Sequence, residues 1–136
     1  MTVVVDTSVT LAWYLEESFS LPARDWQQRI LDGHVRTMVP GLHYLEFANA
    51  LRTYVSRREL TGEQAETIFA LHLDAPLEVV EPPRATLLSV ALAFGATAYD
   101  AAFISLAQAH DCPLVTAERT TTPWVVKLGK LAVTVG

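Results

Sequence analysis

Cysteine is nearly missing from this chain: Cys112 stands alone among 136 residues. An internal disulfide is therefore excluded, and the composition suits a reducing cytosol. A lone cysteine of this kind reads as a small core residue opening a strand. Basic charge is also scarce, with ten Lys and Arg against fifteen Asp and Glu and a formal net charge of −5. Binding of nucleic acid by bulk electrostatics is excluded, so any such role rests on local charge. Two local groups exist: Arg52, Arg57 and Arg58 at the end of one predicted helix, and Arg119, Lys127 and Lys130 further on. They suit helix-dipole complementation and solvation as well as phosphate contact.

Several motifs are absent too. There is no Gly-rich phosphate loop and no GxSxG elbow. His34, His43, His72 and His110 show neither HxxH nor HExxH spacing, so each is expected at an exposed position or a helix end. No uncharged run reaches the ~20 residues that span a bilayer. Residues 85–99 come nearest, but Gly95 cuts them, and two abutting core helices are expected there. The first residues have no basic stretch and soon meet Asp6, unlike a signal peptide. A cytoplasmic protein without membrane contact is expected.

What is present is apolar: 51% hydrophobic residues against 18% charged. This favours a compact globule, read as one domain over residues 1–136, with elements buried on two sides. Short β-branched or apolar runs predict strands at 3–5, 36–39, 77–80, 114–116 and 131–135. Helical spacing predicts helices at 9–17, 23–31, 42–58, onward from a Thr61 capping box, 84–94 and 99–110. Residues 120–123 read as a loop. Strands alternating with helices imply an α/β fold: a three-layer α/β/α sandwich with a central, mostly parallel sheet of about five short strands. Sites in such sheets form beyond the carboxyl ends of the strands, where strand order reverses.

Four acids interrupt apolar surroundings. Asp6 closes the run of valines at 3–5, Glu46 breaks the apolar stretch 42–51, Asp100 breaks 85–106, and Glu118 follows the strand at 114–116. Carboxylates are rarely buried without a partner, and these segments offer few cations. Each has a plainer reading as well. Asp6, with Thr7 and Ser8, can cap a helix. Glu46 can lie on a solvated stripe, Asp100 can serve the cap begun by Thr97, and Glu118 can be a surface acid. If the four converge, a divalent cation compensates them, and an all-oxygen donor set selects a hard ion such as Mg²⁺ or Mn²⁺.

Taken together, residues 3–9, 40–51, 97–103 and 114–119 resemble the PIN-domain family, most of all the VapC ribonuclease toxins of type II toxin–antitoxin pairs. The likeness covers essentially the whole chain, because all four segments occur in order at matching spacing. The resemblance implies a parallel sheet and a metal-dependent endoribonuclease that hydrolyses RNA phosphodiester bonds. It places the metal-binding and catalytic acids at Asp6, Glu46, Asp100 and Glu118, with Ser8, Thr116 and Asn49 supporting them. It also implies a cognate antitoxin as partner. Position 118 departs from the family, where Asp is commoner, so a supporting role with water or a second ion is expected of Glu118.

Other classes fit less well. A haloacid-dehalogenase-like phosphatase needs a second Asp where Ser8 stands, and a receiver domain needs an early acidic pair that is missing. A catalytically silent PIN-like interaction module is the remaining alternative. A homodimer is expected because Trp13, Tyr14, Phe19, Tyr44, Tyr54 and Phe69 exceed what one small core encloses comfortably.

Overall fold

The computed structural model describes residues 1–136. Five strands form one sheet: β1 (Thr2–Val5), β2 (Arg36–Val39), β3 (Leu77–Val79), β4 (Leu114–Thr116) and β5 (Ala132–Thr134). Their spatial order is β3-β2-β1-β4-β5, and every pairing is parallel. The chain starts at the centre, builds outward through β2 and β3, then crosses back to β4 and β5. Strand order therefore reverses between β1 and β4.

Parallel pairing requires a crossover after each strand, and seven α-helices supply them. They are α1 (Thr7–Leu11), α2 (Ser20–Leu31), α3 (Leu42–Ser56), α4 (Gly62–Leu73), α5 (Leu87–Phe94), α6 (Ala98–Ala109) and α7 (Pro123–Leu128). The two faces of the sheet bury opposite residues of each strand, as the period of two demands. Val3, Val5 and Val115 join Val9, Trp13, Trp26 and Ile30 from α1, α2 and the turn between them. Val4, Met38 and Leu114 join Phe103, Ile104 and Leu106 of α6 and Trp124 of α7. A third core sits away from the sheet, where Phe47 and Leu51 of α3 meet Ala65 of α4 and Leu15.

Local chemistry sets most boundaries. At α4, Thr61 Oγ1 accepts from the Gln64 amide at 3.0 Å while Gln64 Oε1 accepts from the Thr61 amide at 2.9 Å, closing the expected box. Gly95 ends α5 at φ +61°, a left-handed conformation that costs other residues energy. Cys112 is buried among the α6-side residues just ahead of β4, the place expected for it.

Three expectations need correction. The first helix stops at Leu11 rather than Glu17; beyond it the Trp13 and Tyr14 amides bond three residues back, and the Trp13 indole donates to the Ala23 carbonyl at 2.9 Å. The loop at 120–123 leads directly into α7, whose start is set by Pro123 at its first position. Of the two helices expected in the core, α6 is deeply buried from Ala101 to Ala107, but α5 buries only Ala91. No single helix is long and apolar enough to cross a membrane, and the segments 84–94 and 98–109 meet at a bend of 109°.

Candidate metal centre

The reversal of strand order brings the four acids to one pocket. Asp6 leaves the end of β1, where its amide donates to the Val115 carbonyl of neighbouring β4 at 3.0 Å. Glu118 lies just past the end of β4, Glu46 projects from the second turn of α3, and Asp100 from the first turn of α6. All four line a cavity of about 160 Å³, with Thr7, Ser8, Phe103, Leu114 and Trp124 completing its wall. No Lys or Arg takes part in that lining.

Each carboxylate is held by local donors. The Asp6 Oδ1 accepts from the Ser8 hydroxyl at 2.5 Å and from the Val9 amide at 3.3 Å, so it caps α1 while facing the pocket. Burial pushes its pKa up to about 6, against the lowering effect of Ser8, Thr116 and the Val9 amide; Asp100 adds repulsion. The Glu46 Oε1 accepts from the Thr7 hydroxyl at 2.9 Å. Burial raises its pKa, Thr7 opposes the rise, and the Asp100 charge adds to it. Asp100 donates its amide to Thr97 Oγ1 at 3.0 Å, the expected cap. Its carboxyl is raised by burial first, eased by Thr97 and raised again by Glu118. Asp100 is thus the common member of every repulsive pair: with Asp6, with Glu46 and with Glu118.

Glu118 is the outlying acid. It is exposed, its amide donates to Thr116 Oγ1 at 3.1 Å, and its Oε2 accepts from the Thr122 hydroxyl at 3.3 Å. No three of the acids are drawn into a closed ligand cage. The donor set nonetheless fits a hard divalent ion. Every donor is a carboxylate or hydroxyl oxygen, and the carboxyls, raised first by burial, are raised further by mutual repulsion that no Lys or Arg of the lining offsets.

Of the supporting residues, Ser8 and Thr116 both touch Asp6, Thr116 from full burial. Asn49 does not enter the acid pocket. It lies one turn beyond Glu46, takes the Arg52 guanidinium at 3.3 Å, and faces an adjoining groove of about 590 Å³ shared by Leu42, Leu45, Glu46 and Tyr99. The basic residues singled out from sequence stay off the pocket wall, and Lys127 lies over the Phe94 ring at 5.3 Å.

Sequence reasoning missed four contributors. Thr7 was hidden inside a helix-start reading, and Trp124 lay just past the stretch read as loop, where no element was expected. His43 and His72 do sit at helix ends, but both are fully buried. Burial lowers His43 to about 3, with His72 adding repulsion, and lowers His72 to about 4, so both are neutral at pH 7. The available signal for His43 was its place three residues before Glu46, on the same helix face.

Residues 3–120 match the family described as PIN domain. In fold, the chain is similar to PAE2754 from Pyrobaculum aerophilum, at TM-score 0.73 and 23% identity, covering 99% of this chain and 92% of that one. It is also similar to a structure of VapBC2 from Rickettsia felis bound to a DNA fragment from their promoter. That match has TM-score 0.61 and 12% identity and covers 87% of this chain and 89% of the other. No curated protein matches the chain in sequence.

Proposed function

The chain belongs to the PIN-domain family, and on that premise we propose that it is a Mg²⁺- or Mn²⁺-dependent endoribonuclease, the toxin of a toxin–antitoxin pair. One observation carries the reading: four carboxylates from four separate elements share a pocket without a cation, at the point where strand order reverses. Carboxylates serving only as helix caps have no reason to converge. The mutual repulsion that passes through Asp100 is a cost that a bound cation removes.

Asp6, Glu46 and Asp100 hold the ion in this reading. A divalent ion bound there lowers the pKa of water and offsets the charge spreading over phosphate oxygens. The chain's own residues do the rest. Ser8, Thr116 and the Val9 amide fix Asp6, and Thr7 fixes Glu46. Glu118, outermost and tethered by Thr122, orients the attacking water or supports a second ion. Phe103, Leu114 and Trp124 give the pocket an apolar wall, where charge–charge interactions are stronger than in open water. The adjoining groove offers the exposed Tyr99 ring for stacking against a base flanking the scissile phosphate.

The test is cleavage of an RNA panel by the purified protein with Mg²⁺ or Mn²⁺, against a chelator control. Metal-dependent cleavage is expected, and Asp100→Asn should lower it at least about 100-fold, beyond the loss typical of residues that merely orient ligands. A folded wild-type protein that leaves every RNA intact with either metal is a silent interaction module instead.

A further inference from the structure

We propose that Thr7, His43, His72 and Tyr14 form a buried, one-directional hydrogen-bond relay that positions the Glu46 carboxylate. The inference rests on Glu46 being a ligand of the proposed metal centre, and it adds three residues that never touch the pocket.

The contacts are continuous. Tyr14 OH meets His72 Nδ1 at 2.9 Å, and His72 Nε2 meets His43 Nε2 at 2.7 Å. His43 Nδ1 meets Thr7 Oγ1 at 3.0 Å, and Thr7 Oγ1 donates to Glu46 Oε1 at 2.9 Å. Proton counting fixes the direction. A carboxylate only accepts, so the single Thr7 proton is committed to Glu46. His43 must then donate to Thr7 from Nδ1, which leaves its Nε2 bare. A bare Nε2 must accept from His72 Nε2–H, which leaves His72 Nδ1 to accept from Tyr14. With both imidazoles neutral, as their lowered pKa values require, every donation points toward Glu46. A single tautomer error would set two acceptors or two donors face to face in a buried core, at the full cost of an unmade hydrogen bond.

Packing keeps the rings in place. The His72 ring stacks on Phe47 at 4.0 Å with planes 9° apart, and Trp13 meets it edge-on at 5.9 Å. A pair of apolar side chains could fill this volume without any tautomer requirement. What the two imidazoles add is orientation, carried from Tyr14, beyond α1, and from the end of α4 to one oxygen of Glu46. Thr7 stands beside Asp6, so the same residue links the relay to the pocket.

Two measurements on the full chain test this. Nitrogen-15 NMR of the histidine rings, without metal, should find His43 protonated at Nδ1 and His72 at Nε2. The opposite tautomer at either ring overturns the relay. Calorimetric titration with Mn²⁺ then reads its effect on the centre. Thr7→Val should weaken Mn²⁺ affinity about tenfold, as loss of a ligand-orienting partner does, and Thr7→Ser should restore it. Tyr14→Phe, which keeps the ring and removes only the far hydroxyl, should weaken affinity in the same direction but less. The double variant should lose no more than Thr7→Val alone. If Tyr14→Phe lowers the melting temperature but leaves both Mn²⁺ affinity and the His43 tautomer untouched, the chain of contacts is structural only and the proposal fails. A wild type that binds no Mn²⁺ overturns the metal-centre reading, and the role of the relay with it, even where the tautomers agree.

Discussion

Replacing Asp6 by Asn should destroy activity and stabilise the protein in the absence of metal. The folded chain holds the Asp6 proton up to about pH 6, whereas the ordinary carboxyl loses it near 3.8. Between those values the unfolded state binds fewer protons, so stability falls as pH rises, and above pH 6 the whole penalty is present. The shift corresponds to at most about 3 kcal/mol. Because Asp6 keeps some solvent contact, about 1–3 kcal/mol is the working range. Asn caps a helix as well as Asp does, so the bonds from Ser8 and the Val9 amide survive the change. In a chain of this size the gain raises the melting temperature by about 4–10 °C. Thermal melts in chelator at pH 7.5 and pH 4 provide the assay. The difference between variant and wild type should be large at pH 7.5 and should shrink toward zero at pH 4, where both forms are neutral. Adding Mg²⁺ should raise the wild-type melting temperature and leave the variant's almost unchanged. Equal melting at pH 7.5, or a gain that persists undiminished at pH 4, would refute the argument that burial of charge dominates at Asp6.

Further outcomes follow from the periphery of the pocket and from the surface. Glu118→Gln should slow RNA cleavage several-fold and raise the metal requirement, with excess Mn²⁺ partly restoring the rate; Glu118→Asp should stay active. Metal titrations of the cleavage rate on one RNA check both, and a Glu118→Gln variant matching wild type at limiting metal removes Glu118 from the centre. A homodimer is expected through α5 and α7, where Leu88, Leu92 and Val126 are 70%, 75% and 63% exposed. Light scattering at micromolar concentration should find twice the chain mass, and Leu92→Arg should return it to that of one chain.

The sheet was readable from sequence because its strands are runs such as Val3–Val5 and Leu114–Thr116, too short for helices and cleanly bounded. Glu46 and Asp100 were readable for a related reason, since a carboxylate inside an apolar run must answer to something in three dimensions, and Asp6 and Glu118 were readable as acids that follow strand ends. What stayed hidden was mostly pairing across distance. His43 and His72 lie far apart in sequence and carry no metal-ligand spacing, so nothing local announced that each is the other's partner. The apolar excess was attributed to the wrong residues. Trp13 is buried, and Tyr14, Phe19, Tyr54 and Phe69 pack against the cores. The exposed apolar side chains are spread over several helices, among them Leu21 on α2, Leu45 on α3, and Leu88 and Leu92 on α5, whose almost uninterrupted apolar sequence gave no hint of which face stays outside. Helix α7 escaped because six residues are too few to show a helical period.

The strand order also sets a timetable for the chain as it leaves the ribosome. Synthesis proceeds through β1, β2 and β3, and these can zip together early. The remaining edge of β1 must wait for β4, more than 100 residues later. Until then a row of valine backbone stands unpaired, the kind of edge that invites wrong pairing. Assembly of the acid pocket is held back by the same delay. Asp6 and Glu46 belong to the early half, Asp100 and Glu118 to the late half, so no partly made chain carries the pocket. Docking of β4 beside β1 closes the exposed edge and brings the four acids together in one step.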